Sequence, residues 1–161
     1  MTWLLIVFGI AAVLSPLMWL KQSPHQKRIT ELRRWANSRS LKVSLHRRPD
    51  AREDEVRLDA VYYGLPWLDK SAGQDWVLQR HSQRGWQSDL EGWQWFGHQA
   101  DPTWDQLLAD TVPELPSGVS AVIANSSGVG LIWDERGTFT EIEQLCEFLQ
   151  RLRQKAEEIC L

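Results

Sequence analysis

The sequence predicts an α+β fold: an N-terminal transmembrane helix and a basic juxtamembrane helix, then a small antiparallel sheet domain covered by a C-terminal helix. Three observations carry this. Residues 1–20 hold no charged side chain, short apolar runs outnumber helical stripes through the middle of the chain, and one long amphipathic stripe closes it. At 161 residues there is room for about one compact domain, and Gly 10, Cys 2 and 43% hydrophobic content exclude collagen-like, disulfide-framework and wholly disordered classes.

The first element is Trp3–Leu20, an uncharged run that would measure about 27 Å as a helix against a hydrocarbon core of roughly 30 Å. Trp3 and Trp19 stand at its ends, where indoles favour the headgroup boundary, and Pro16 is tolerated in a membrane helix. A cleaved signal peptide is the competing reading, because Ala11 and Ala12 are small. Met1 and Thr2 supply no basic leader, however, and the positive charges all follow the run. This polarity predicts an uncleaved anchor over residues 1–22, N-terminus outside, with everything after Lys21 cytoplasmic.

The net charge of −3 conceals a strong asymmetry. Residues 21–48 carry nine Lys and Arg against Glu31 alone, whereas residues 58–161 carry 7 basic and 16 acidic side chains. Ser23-Pro24 reads as N-cap and first helical position of a collar helix over residues 23–40, with Ile29, Leu32 and Ala36 on one face and Trp35 beside it. Trp3, Trp19, Lys21, Lys27, Arg28, Arg33 and Arg34 are the expected membrane-interface residues, and the phospholipid bilayer is the expected partner. On a second reading these charges only fix topology. Nucleic acid is not expected, since a collar held at a membrane has little access to it.

Residues 41–161 read as the cytoplasmic domain. Leu41, Val43 and Leu45 alternate with polar residues as a short strand, and Arg47–Glu55 is a polar loop. Further strands are predicted at Val56–Tyr63, Asp75–His81 and Gly92–Phe96, and Asp101-Pro102 opens a short helix containing Trp104, Leu107 and Leu108. Val119–Ala124 and Val129–Trp133 flank Asn125-Ser126-Ser127-Gly128, a hairpin signal. Thr138-Phe139-Thr140-Glu141 matches a capping box, and Ile142, Leu145, Phe148, Leu149 and Leu152 form the stripe of a closing helix to about Glu158.

Ten tryptophans stand against two tyrosines and four phenylalanines. Trp93 and Trp95, two apart, would share one face of a strand, so Trp86, Trp93, Trp95 and His98 form a candidate binding surface for a ligand or protein. The competing expectation is that these indoles build the core. His81 and His98 would do acid–base work if neighbouring strands brought them together near Asp75, Asp89 or Asp101. No nucleophile elbow, zinc-protease or phosphate-loop motif is present, so no catalytic residue, cofactor or metal is assigned and no enzyme is expected. Cys146 and Cys160, about 21 Å apart along one helix, cannot bridge each other and read as reduced thiols.

Pro24, Gln26, Lys27 and Arg28, directly after the apolar run, match a Pro-x-Gln-Lys-Arg stretch that follows the membrane helix of YajC. Over about residues 3–40 the chain therefore resembles YajC-like small single-pass proteins of the bacterial inner membrane, accessory subunits of the preprotein translocase. The family's β domain is not rich in tryptophan, and the Gly128–Gly137 segment with its closing helix has no counterpart in it. The resemblance implies a non-enzymatic accessory or scaffold protein assisting the Sec translocase, with Sec membrane components as partners and no cofactor. A membrane-tethered ligand- or protein-binding module using the Trp-rich surface is the alternative function. The oligomeric state is left open.

Overall fold

Among the described residues, seven strands form one antiparallel sheet in the order β1-β2-β7-β6-β3-β5-β4. The strands are β1 (Lys42–His46), β2 (Ala60–Pro66), β3 (Trp76–Arg80), β4 (Trp86–Gln87), β5 (Trp93–Trp95), β6 (Val119–Asn125) and β7 (Gly128–Trp133). The helices that accompany them among the described residues are α1 (Pro24–Ser38), α2 (Asp105–Thr111, entered through a 3-10 turn at Pro102–Trp104) and α3 (Phe139–Ile159). The structure is a computed structural model that describes Trp3 and residues 23–52, 54–56, 59–68, 75–82 and 84–159. The chain divides into two units, Met1–Glu31 and Leu32–Leu161.

In the first unit the start of α1 is fixed by reciprocal capping. Gln26 N donates to Ser23 Oγ at 3.2 Å and Ser23 N donates to Gln26 Oε1 at 3.4 Å. Among the described residues no helix is long and apolar enough to cross a membrane. The expected span, with Trp19 and Lys21, lies outside the described residues except for Trp3.

In the second unit one face of the sheet carries the core. Tyr63, Leu65, Trp76, Leu78, Trp93, Trp95, Val122, Val129, Leu131 and Trp133 join a single apolar cluster with residues of all three helices. The helix expected as a collar over 23–40 contributes to this cluster from its second half. Leu32 and Ala36 are fully buried in this cluster, because the apolar stripe of α1 gains more from the sheet's face than from water. From Leu32 onward, α1 is a structural layer of the domain.

The closing helix α3 packs its predicted stripe on β2 and β7. Glu141 N donates to Thr138 Oγ1 at 3.4 Å, the first half of the predicted capping box. Asn125 and Gly128 pair across a two-residue turn, as the hairpin signal required. Two differences from the predicted strands are informative. β2 starts at Ala60 rather than Val56, because Val56 is 84% exposed within a charged stretch and has no apolar neighbour to pair with. β4 has only two residues and no hydrophobic period to reveal it.

The opposite face of the sheet carries a much smaller apolar patch of Ala60, Tyr62, Ala121 and Ile132. Gly64 and Gly130 face each other across β2 and β7, and the Tyr62 ring lies over both. A Cβ at either position would overlap that ring, so glycine is required by close approach.

Candidate functional site

The most ordered polar constellation joins α1, the sheet and the loop after β7. Arg33 Nε donates to Glu135 Oε1 at 2.7 Å and Arg33 NH2 donates to Glu135 Oε2 at 2.6 Å, a bidentate pair. Tyr63 OH, from β2, donates to Glu135 Oε1 at 2.6 Å. The Glu135 side chain is buried whereas Arg33 keeps one side toward solvent. Glu135 adopts φ +58°, a left-handed conformation that few non-glycine residues take, and its ion pair and hydrogen bond hold it there. Its carboxylate raises the Arg33 guanidinium above its ordinary pKa. Burial, followed by the same carboxylate, pushes the Tyr63 phenol well up.

This arrangement involves one of the expected interface residues. Arg33 was expected to face lipid headgroups, but its fork is engaged by Glu135, 102 positions away in sequence. No motif announced the pair, because Glu135 sits in a turn-like segment whose composition reads as solvent-exposed loop. Lys27 and Arg34, seven residues and about two turns apart on α1, are exposed, and Arg28 is half-buried. The Arg39 guanidinium lies over the Trp35 ring at 5.1 Å.

The tryptophans are mostly core. Trp93 and Trp95 are 3% and 4% exposed, because β5 turns both toward the helix-covered face. Trp76 packs edge-on against Trp95 and Trp104, with centroids 6.0 and 5.5 Å apart. Arg80 closes over Trp93 at 4.6 Å. The candidate surface drawn through Trp86, Trp93, Trp95 and His98 is therefore corrected to two exposed residues, Trp86 (44% exposed) and His98.

His81 and His98 do not come together. Val77 N donates to the His98 carbonyl, and His81 follows four residues further along the same strand direction, about 13 Å away at strand rise. Cys146 is buried, and burial raises its thiol pKa. Cys160 lies outside the described residues. Among the described residues no group of three or more His, Cys, Asp or Glu is placed to hold a metal ion.

Two larger surface recesses have mixed linings. One of about 400 Å³ lies between the segment after α2 and the face of α3, with Glu114, Glu147 and Arg151 around Leu115 and Phe148. Another of about 390 Å³ runs beside β5, with His81, Gln87 and Glu91. The first mixes charges of opposite sign and the second carries a single carboxylate, Glu91, so neither assembles a set of groups that selects a ligand class. No protein-family model, curated protein or solved structure matches this chain.

Proposed function

We propose that the protein is a non-enzymatic single-pass accessory or scaffold protein of the bacterial inner membrane, its α+β domain held on the cytoplasmic side, assisting the Sec preprotein translocase. The observation that carries this reading is the order of charge along the chain: an uncharged Trp3–Leu20 run, then nine basic residues against one acidic in residues 21–48. The exposure of Lys27 and Arg34 supports it, because both remain available to anionic headgroups, each worth about 1 kcal/mol near the surface. The Pro24, Gln26, Lys27 and Arg28 match to YajC supplies the choice of partner.

Two measurements test it. Cell fractionation with a reporter fused after Leu161 should place the chain in the membrane fraction with a cytoplasmic C-terminus. Photo-crosslinkers placed along Trp3–Leu20 should capture Sec membrane subunits at native expression. Recovery in the soluble fraction overturns the anchor; a membrane-bound chain that captures no Sec subunit overturns the partner.

A further inference from the structure

The sheet face away from the helices carries a recess of about 180 Å³ at the β1 edge, roughly six water volumes. Lys42, Ser44 and His46 approach it from β1, Tyr62 from β2, and Asn125 and Ser127 from the β6–β7 hairpin. Gly64 and Gly128 line the recess, and the Tyr62 ring lies over Gly64 and its neighbour Gly130. His46 in turn stacks on Tyr62, with ring centroids 4.4 Å apart and planes inclined by 27°. The stack fixes one wall of the recess.

The chemistry of the lining is one-sided. The Asn125 carboxamide oxygen already accepts from Ser127 N at 2.8 Å, which leaves its NH2 group as a donor. The Lys42 ammonium is a donor with full charge, and the Ser44 and Ser127 hydroxyls rotate to donate. The Tyr62 phenol, pushed up to about 12 by burial, keeps its proton throughout the neutral range. No carboxylate is among the described residues lining the recess, although residues 58–161 carry 16 acidic side chains against 7 basic ones. A full positive charge with several neutral donors around it, and no facing carboxylate, suits an anionic tetrahedral group with several acceptor oxygens. The volume of about 180 Å³ admits such a group with a short carbon tail.

We propose that this recess binds the phosphate group of a small phosphomonoester, with Lys42 as the cation and Ser44, Asn125 and Ser127 as neutral donors. The site is independent of the membrane assignment, since every residue in it lies within the second unit. The same chemistry is offered by a soluble phosphomonoester and by a phosphomonoester lipid headgroup.

The test is titration of the full chain in neutral detergent with inorganic phosphate, with glycerol phosphate, and with micelles doped with phosphatidic acid or phosphatidylcholine. Saturable binding of glycerol phosphate is expected, weakened about tenfold or more by Lys42→Ala and by Asn125→Ala, and unchanged by Lys155→Ala. Near-ultraviolet circular dichroism of each variant reports whether the fold persists, and the exposed Lys42 should leave it intact. Tighter binding to phosphatidic acid than to glycerol phosphate, with the same dependence on Lys42, assigns the headgroup; equal or weaker binding assigns a soluble ligand. Absence of saturable binding to every phosphate probe overturns the proposal. Binding that Lys42→Ala and Lys155→Ala weaken equally also overturns it.

Discussion

Arg33 and Glu135 form a two-pronged ion pair, at 2.7 and 2.6 Å, that ties the second half of α1 to the loop after β7. The two ends of this pair differ in what their loss leaves behind. Glu135 is buried and Arg33 is not fully so. Arg33→Ala therefore removes the bidentate cationic partner of a buried carboxylate. It should cost about 3 kcal/mol, at the lower end for breaking a buried pair because one partner meets solvent. Glu135→Gln keeps an acceptor for Tyr63 and leaves the guanidinium free to hydrate, so about 1–2 kcal/mol is expected. Urea unfolding of both variants checks the order; a Glu135→Gln variant less stable than Arg33→Ala would show that the buried carboxylate is not the costlier group to leave without its ion-pair partner.

The protein's two tyrosines, Tyr62 and Tyr63, are both held protonated by the fold, Tyr62 up to about 12 through burial and Tyr63 through burial and the Glu135 carboxylate. In the unfolded chain both ionise near pH 10. A group whose pKa is raised on folding contributes stability that is complete below the unfolded value and disappears as pH climbs through the folded one. Stability should thus be insensitive to these groups below about pH 9 and fall between roughly pH 10 and 12. Absorbance at the phenolate band during an alkaline titration is the measurement. A normal transition near pH 10 in still-folded protein would contradict the burial of both rings.

Among the seven tryptophans of residues 41–161, Trp86 is the exposed one and Trp93 and Trp95 are not. Trp86→Phe should remove a collisionally quenchable component of the fluorescence while changing stability by less than about 0.5 kcal/mol. Trp95→Ala, which opens a void beside Trp76, should cost about 3–5 kcal/mol. Acrylamide quenching and denaturant melts of the two variants distinguish the cases. Strong quenching lost on replacing Trp95 would restore the aromatic-platform reading.

Much of the local architecture was legible because its signals are short-range. Ser23 and Thr138 marked helix starts through bonds made within three residues, and the alternation of Val119–Ala124 and Val129–Trp133 around an Asn-Ser-Ser-Gly turn specified the hairpin. The candidate site was far less legible. The tryptophan spacing fixed that Trp93 and Trp95 share a face, but either face satisfies a period of two. The phosphate recess left no sequence signature, because Lys42, Tyr62 and Asn125 lie on three separate strands.

By itself the sequence determined the helix caps, the hairpin, the stripe of α3, and the asymmetry between an uncharged start, a basic collar and an acidic remainder. Each depends on neighbours within a few residues or on simple charge counting. Only the tertiary structure decided that β2 pairs with β7 and β3 with β6, that the collar helix lends Leu32 and Ala36 to the core, and that Arg33 meets Glu135. Those choices rest on which apolar faces bury each other best across the whole chain. Residues far apart in sequence compete for the same surface, and no local window contains the comparison.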